Sequence, residues 1–322
     1  MNFFTHIAIS RPPRRFSYAD RFLLLGSCFA QNMAGYMKEN RFDMDVNPFG
    51  TLYNPASISR ALRILLEGKT FSSSDLFRYG ERWYSWMHQG SFSGMSEAEC
   101  LETINPRLIH AEERLGGLSC LIITWGTAYI YRLRSTGEVV SNCHKVAGRE
   151  FMRERLSVGD IVADWSELLG LLVNRCPSLQ QIILSVSPIR HWKDGAHGNQ
   201  LSKATLLLAA EQLEQKYPGF VQYFPAYEIM MDELRDYRFY ADDMLHPSPQ
   251  AVEYIWDSFR TNYLTEETLA VMEEWQQINQ ALHHRPLHPE SDAYRGFMHQ
   301  TMLKLKRLQE KFPYFGDEKD EA

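Results

Sequence analysis

The chain has 322 residues, of which 44% are hydrophobic, and a formal net charge of -6 at pH 7. This length and composition are typical of one large globular domain with an extension, or of two domains. With a net negative charge the protein has no overall positive potential to attract a phosphate backbone, so we do not expect nucleic acid as a partner.

The cysteines and the lengths of the apolar runs argue against a disulfide-rich, zinc-binding, secreted or membrane protein. The five cysteines are odd in number and contain no C-x-x-C pair, which argues against a disulfide framework or a structural zinc site. The first residues lack the features of a secretory signal, and no stretch approaches the ~20 apolar residues of a membrane helix. We therefore expect a cytoplasmic protein with no membrane contact, no metal and no cofactor.

Buried strands and amphipathic helices alternate over the first 265 residues. Compact apolar runs predict strands at residues 21–25, 42–46, 119–125, 181–186 and 221–224, and a hairpin at 129–133 and 139–142. Apolar residues at helical spacing predict helices at residues 31–39, 56–66, 158–173, 202–216 and 251–263. This alternation indicates an α/β fold with a mostly parallel sheet that is covered by helices on both faces.

Two regions depart from this alternation. An insertion at about residues 72–118 begins with an aromatic and glycine-rich segment, which is either a lid or, as we favour, a locally packed insertion. From residue 266 onward the pattern predicts two charged helices, at 266–282 and 291–311. We therefore divide the chain into a domain at residues 1–265 and a helical extension at 266–322, which either packs on the domain or joins two chains as a homo-oligomer.

The ends of the predicted strands carry residues suited to nucleophilic catalysis. Ser27 stands where the first strand stops and a helix begins, and Asp243 and His246 lie three positions apart on one later loop. A serine hydroxyl needs a base, and the base needs a carboxylate to hold its tautomer, so this set is a candidate Ser-Asp-His triad. The spacing alone leaves a chance occurrence open, because D-x-x-H and a Gly-Ser turn after a strand are both common. Cys28 is open to two interpretations, a competing nucleophile or, as we favour, a small buried packing residue.

Several sequence blocks together resemble one protein family. The pentapeptide Gly26-Ser27-Cys28-Phe29-Ala30 resembles the signature of the GSCFA family, which is placed in the SGNH (GDSL-like) hydrolase superfamily. The resemblance extends over roughly residues 1–265 and includes these further blocks: Asn47-Pro48-Phe49-Gly50-Thr51-Leu52-Tyr53-Asn54-Pro55, Asn142-Cys143-His144-Lys145, Ser187-Pro188-Ile189-Arg190-His191, Tyr223-Phe224-Pro225-Ala226-Tyr227-Glu228 and Asp243-Met244-Leu245-His246-Pro247.

This resemblance implies a three-layer αβα sandwich of the SGNH-hydrolase or flavodoxin-like kind, and ester hydrolysis, often of acetyl groups on carbohydrate. It implies Ser27 as the nucleophile, His246 as the base and Asp243 as the residue that orients the base. It also implies an oxyanion hole built from the Ser27 amide and the amide of a glycine after the second strand, which Gly50 matches.

The third oxyanion donor is where this sequence departs from the superfamily pattern. The superfamily has an asparagine after the third strand, in a G-x-N pattern, and here Ala128 stands at that position. The loss of one oxyanion donor costs about 10²- to 10³-fold in rate. Thr127 and Asn142 are our candidates for the vacant role.

Residues on the same predicted rim are candidates for substrate binding. Arg190 and His191 follow a buried strand and are suited to an anionic or hydroxyl-rich substrate, or equally to a structural salt bridge, and Tyr227 is a candidate for lining the pocket. Lys203 is expected to begin a helix and to be solvated.

The sequence thus predicts a cofactor-free serine esterase that acts on O-acyl esters, chiefly O-acetyl esters, of a small molecule or carbohydrate. Two alternatives remain. One is a binding protein on the same fold with weak or no catalysis, and the other is an O-acyltransferase that uses the same triad.

Overall fold

The computed structural model of the chain describes residues 5–312 and residue 315. The strands in chain order are β1 (Phe22–Gly26), β2 (Met44–Val46), β3 (Leu76–Tyr79), β4 (Arg82–Ser85), β5 (Cys120–Trp125), β6 (Tyr129–Leu133), β7 (Val139–Val140), β8 (Phe151–Arg155), β9 (Gln181–Val186) and β10 (Val221–Phe224). The helices are α1 (Cys28–Glu39), α2 (Pro55–Glu67), α3 (Glu97–Leu115), α4 (Val158–Arg175), α5 (Gly195–Lys216), α6 (Ala226–Glu228), α7 (Pro249–Tyr263), α8 (Glu266–Leu282) and α9 (Asp292–Lys311).

The central element is a five-stranded sheet in the order β2-β1-β5-β9-β10, with every pair of neighbours parallel. Two smaller antiparallel sheets, β3-β4 and β7-β6-β8, lie outside it. The direction of strand addition reverses at β1, and open α/β sheets form a ligand crevice at the carboxyl ends of the strands beside such a reversal. The predicted α/β fold with a mostly parallel sheet is confirmed.

Strand β1 shows why the fold has three layers. Successive side chains on a strand point to opposite faces, and in β1 both sets are buried. Leu23 and Leu25 join a core with α2, α3, α4 and α5, whereas Phe22 and Leu24 join a second core with α1, α7 and α8. A continuous apolar run is therefore required, since neither face of this strand meets water.

The first C-terminal helix completes the second core. Val271, Met272, Trp275 and Ile278 of α8 are buried in it, and the Trp275 indole donates a hydrogen bond to the Glu39 carbonyl at 2.7 Å. The predicted extension is therefore helical, and it packs on the α/β domain. Whether it also joins two chains stays a prediction.

The predicted insertion contains more regular structure than its sequence pattern indicates. Residues 76–85 form the β3-β4 hairpin, and α3 follows with five buried side chains at helical spacing: Cys100, Ile104, Leu108, Ala111 and Leu115. Neither α3 nor β8 was predicted. Among the described residues, no helix is both long and apolar enough to cross a membrane.

Candidate active site

The carboxyl ends of the central strands meet at one edge of the sheet, and a cavity of about 420 Å³ opens there. We call it the rim cavity. Residues that follow β1, β5 and β9 line it, together with residues of the β7-β6-β8 sheet and of the loop before α7. A second cavity of about 630 Å³ adjoins it and shares Arg190, Trp192 and Leu245.

The turn between β1 and α1 is held close to strand β5. Gly26 has φ +148°, and a Cβ there would collide with the Thr124 carbonyl, so glycine is required by both conformation and space. The Ser27 amide donates a hydrogen bond to the same Thr124 carbonyl at 3.2 Å. These two contacts fix the point at which helix α1 begins.

Ser27 itself serves as the helix cap and is sealed from the rim cavity. Its hydroxyl accepts a hydrogen bond from the Phe29 amide at 3.3 Å, its carbonyl accepts one from the Ala30 amide at 2.9 Å, and it has 0% exposure. It does not line the cavity. The structure therefore places the predicted nucleophile in a capping position, because a serine just before a helix satisfies amides that lack partners within the helix.

Cys28, the next residue, does line the rim cavity. It is half-buried, and its sulfur lies 3.5 Å from the Tyr53 hydroxyl. Cys28 also packs against the second core, as the favoured interpretation of a packing residue expects, but it is not fully buried. The turn directs one of two consecutive side chains into the helix cap and the other toward the cavity.

Asp243 and His246 form the pair that the sequence predicted, and His246 lines the rim cavity. Asp243 Oδ2 lies 2.5 Å from His246 Nδ1, and Asp243 Oδ1 accepts the amides of Leu245 and His246 at 2.9 Å. The chain folds back here through Met244, at φ +58°. The two amides, and then the His246 side chain, lower the pKa of Asp243 to about 2. A carboxylate at Nδ1 holds the proton there and leaves Nε2 free to act as a base.

The predicted oxyanion donors are mostly occupied elsewhere. The Ser27 amide is bound to Thr124, and the Gly50 amide donates to the Asn47 carbonyl at 2.7 Å. Asn142 does not line the rim cavity. Thr127 does line it, although its hydroxyl pairs with Ser202 Oγ at 3.0 Å and accepts the Tyr129 amide at 3.1 Å.

One further polar side chain, for which the sequence predicts no role, faces the rim cavity. Asn54 is only 6% exposed and lines the cavity. Its Oδ1 caps helix α2 by accepting the Ser57 amide at 2.8 Å, whereas its Nδ2 donates to no described residue. An asparagine directly before Pro55 is a typical start of a helix, so the sequence did contain a signal for its placement.

The predicted substrate-binding residues divide into two groups. Arg190 and His191 line the rim cavity. Tyr227 does not line it, because its ring is buried and its hydroxyl donates to Gln200 Oε1 at 2.7 Å. Burial, and then the charges of Lys203 and His246, lower the pKa of His191 to about 4, so this imidazole is neutral near pH 7.

Lys203 corrects another expectation. It lies within α5 rather than at its start, is 1% exposed, and donates to the carbonyls of Gly126 and Ser187, each at 2.7 Å. Burial, followed by the charge of Arg190, lowers its pKa to about 7. Because these two carbonyls follow β5 and β9, Lys203 ties together the two strand ends that border the cavity.

The outer wall of the rim cavity is aromatic and basic. Tyr129, Tyr131, Arg153 and Lys193 contribute to it. Arg153 forms a bidentate pair with Asp194, and its guanidinium lies over the Tyr129 ring at 4.4 Å. Within the described part of the chain, neither Arg190 nor Lys193 is paired with a carboxylate: Lys193 donates to the Tyr131 hydroxyl, and Arg190 Nη2 lies 3.2 Å from Met231 Sδ. The same residues contain no cluster of three or more His, Cys, Asp or Glu side chains that would hold a metal ion.

Comparison with known proteins identifies the family. The model of the GSCFA family matches residues 21–259, and that of the GSCFA domain protein, C-terminal domain, matches residues 275–322. No curated protein matches the chain. Among solved structures, the chain is similar to a carbohydrate esterase family 3 protein from Talaromyces cellulolyticus, at 8% identity over 79% of this chain and 99% of that one, with a TM-score of 0.34. On the match of the family model to most of its length, the chain belongs to the GSCFA family.

Proposed function

We propose that this protein hydrolyses an acyl ester through a covalent acyl-enzyme, as SGNH-type hydrolases do. The observation that carries the proposal is the Asp243–His246 pair at the rim cavity. The nucleophile comes from the turn between β1 and α1, which contains the predicted Ser27 and the neighbouring Cys28. His246 Nε2 accepts the proton of the nucleophile, returns it to the leaving alkoxide, and then activates the water that releases the acid.

The position of the site within the sheet supports this proposal. The cavity lies where the segments after β1 and β5 diverge, which is the usual ligand position in a parallel sheet of this order. Its volume of about 420 Å³ suits a small ligand or one sugar unit with its acyl group.

The wall of the cavity favours a polar alcohol component in the ester. Arg190 and Lys193 have no carboxylate partner in the described residues, although Lys193 donates to the Tyr131 hydroxyl, so their charges are not neutralised and favour hydroxyl or anionic groups. The rings of Tyr129 and Tyr131 offer flat apolar faces beside them. We therefore propose an O-acyl ester of a hydroxyl-rich or anionic compound, such as an acetylated carbohydrate.

Substitution of the base tests the proposal. His246→Ala is expected to lower kcat/KM for 4-nitrophenyl acetate and for acetylated xylo-oligosaccharides by at least about 10³-fold, since the base acts with the nucleophile as a unit. His110→Ala, at an exposed position on α3 outside the cavity, is the matched control and should retain activity. Equal activity of wild type and His246→Ala on every ester would refute the proposal.

A binding role on the same fold is the second candidate. The observation that favours it is that the Ser27 and Gly50 amides, two predicted oxyanion donors, are already hydrogen bonded within the protein. Binding of acetylated xylo-oligosaccharide by calorimetry, without release of acetate, would support this candidate. Transfer of the acetyl group to an added alcohol would instead indicate an O-acyltransferase.

A further inference from the structure

We propose that the nucleophile of this site is the Cys28 thiol, so that the protein is a thiol hydrolase in which Ser27 only caps the helix. The inference rests on the hydrolase proposed above and replaces its predicted nucleophile. Three features of the described residues carry it: the access of the sulfur to a cavity that His246 also lines, the unpartnered donors of residues in that cavity wall, and the contact of the sulfur with Tyr53.

Access separates the two neighbouring candidates. Cys28 lines the rim cavity together with His246, whereas Ser27 has 0% exposure and is absent from the cavity wall. The Ser27 hydroxyl also accepts the Phe29 amide, so moving it toward a substrate would uncap α1. The thiol is therefore accessible from the cavity with the turn as it stands, whereas the hydroxyl is not.

Two hydrogen-bond donors, on residues that line the rim cavity, have no partner in the described residues. Cys28 is the first residue of α1, a position whose amide has no acceptor within the helix, and its N–H donates to no other described residue. Asn54, which is only 6% exposed, lines the same cavity, and its Nδ2 donates to no described residue. An oxyanion formed on the substrate during attack by Cys28 needs donors of this kind, and the helix N-terminus adds a favourable dipole.

The Tyr53 hydroxyl contacts the Cys28 sulfur directly. It lies 3.5 Å from Cys28 Sγ, and the Tyr53 carbonyl accepts the amides of Gly126 and Thr127, which anchors the residue beside the cavity. Burial first, and then the contact with Cys28, raise the pKa of Tyr53, so the phenol keeps its proton. A protonated phenol can donate to the sulfur when the thiol is deprotonated.

The reaction balances with water as the only co-reactant. His246 Nε2 takes the thiol proton as the Cys28 sulfur bonds to the ester carbonyl carbon, and the oxyanion collapses with cleavage of the C–O bond. The departing alkoxide takes the proton from His246, which leaves a thioester. Water then gives a proton to His246 as its oxygen attacks the thioester, and the C–S bond breaks. The sulfur regains that proton and the acid is released.

The experiment compares Cys28→Ala, Cys28→Ser, Ser27→Ala and the control Cys143→Ala, which removes the other half-buried cysteine outside the cavity wall. Steady-state hydrolysis of 4-nitrophenyl acetate should fall by at least about 10³-fold in Cys28→Ala and stay within about threefold of wild type in Ser27→Ala and Cys143→Ala. Thermal melting monitors folding. If Cys28→Ala does not fold, the near-isosteric Cys28→Ser takes its place and should lose at least about 10²-fold.

A chemical signature identifies the acylated atom independently of these rates. Wild-type protein quenched in acid during turnover is digested, and the acetylated residue is located by tandem mass spectrometry. An acetyl group on Cys28 that neutral hydroxylamine removes is the expected result, because hydroxylamine cleaves thioesters far faster than oxygen esters. If no adduct accumulates, the turnover of the alanine variants decides.

The two proposals fail in different ways. An acetyl group on Ser27 that resists hydroxylamine, with activity lost in Ser27→Ala and retained in Cys28→Ala, would overturn the thiol nucleophile and leave the hydrolase intact. Turnover that is the same in wild type, Cys28→Ala and His246→Ala would overturn the hydrolase itself, and the thiol nucleophile with it.

Discussion

The buried Lys203 predicts an unusual dependence of stability on pH. In the folded chain its pKa is about 7, against an ordinary value of 10.5. Between these two values the unfolded chain holds a proton that the folded chain has lost, so raising the pH stabilises the folded state. This sign is opposite to that of a lysine in a salt bridge, because burial disfavours the charged form.

The size of the effect follows from the two pKa values. A difference of one bound proton between the unfolded and folded states changes the free energy of unfolding by about 1.4 kcal/mol per pH unit. The free energy of unfolding therefore rises by about 2 kcal/mol between pH 7 and pH 9. Below pH 7 Lys203 is protonated in both the folded and the unfolded state, so its contribution to the free energy of unfolding no longer changes with pH. The substitution Lys203→Met removes this dependence and leaves the Gly126 and Ser187 carbonyls without their donor, at a cost of about 1–3 kcal/mol per carbonyl that does not vary with pH.

Urea denaturation of wild type and Lys203→Met at pH 6, 7, 8 and 9 measures this directly. The free energy of unfolding of wild type minus that of the variant should grow by about 2 kcal/mol from pH 7 to pH 9. Apart from His191, whose pKa the Lys203 charge helps to lower, the other titrating groups are common to both proteins and cancel in this difference. Lys216→Met, at an exposed position on the same helix, is the matched control and should show no such growth. A difference that stays constant from pH 6 to pH 9 would refute the reasoning.

Two further predictions concern the rim cavity. Asp243→Asn keeps an acceptor for the turn amides but places an NH2 at Nδ1 of His246, which moves the imidazole proton to Nε2. We expect kcat/KM to fall by about 10²- to 10⁴-fold, with little change in melting temperature. Retention of a third of the activity would contradict the role of Asp243. Arg190→Gln should raise KM about 10- to 100-fold for an anionic acetyl ester, because it removes a charged donor from the cavity, and leave KM for neutral 4-nitrophenyl acetate unchanged. Steady-state kinetics on the two esters checks this, and an equal change in both KM values would count against an anion subsite.

Much of the fold can be predicted from the sequence because its signals are local. The buried runs at 181–186 and 221–224 and the charged helix at 266–282 have the bounds that the structure gives to β9, β10 and α8. Apolar spacing within one segment suffices for such predictions. Helix α3 had the same kind of signal in its five buried residues, but Pro106 within it and the aromatic residues before it obscured the pattern.

The site residues also differ in whether their contacts are local in the sequence. Asp243 and His246 are three residues apart, so one turn brings them together and the sequence was enough to predict the pair. Lys203 was misjudged because a single polar residue in a helix is normally solvated, although it lies on the stripe that also contains Asn199, Leu206 and Ala210, all of which are buried. Only the packing of α5 across the ends of β5 and β9 supplies the two carbonyls that make its burial tolerable.

The sequence alone therefore determined the alternation of strands and helices, the parallel sheet, and the local pairing of Asp243 with His246. The tertiary structure alone decided which of Ser27 and Cys28 meets the cavity. Those two residues are adjacent, and their exposure depends on where β5 holds the turn through Thr124 and on which amides of α1 require a cap. The contact with Thr124 joins segments nearly a hundred residues apart, and a pattern of neighbouring residues cannot predict it.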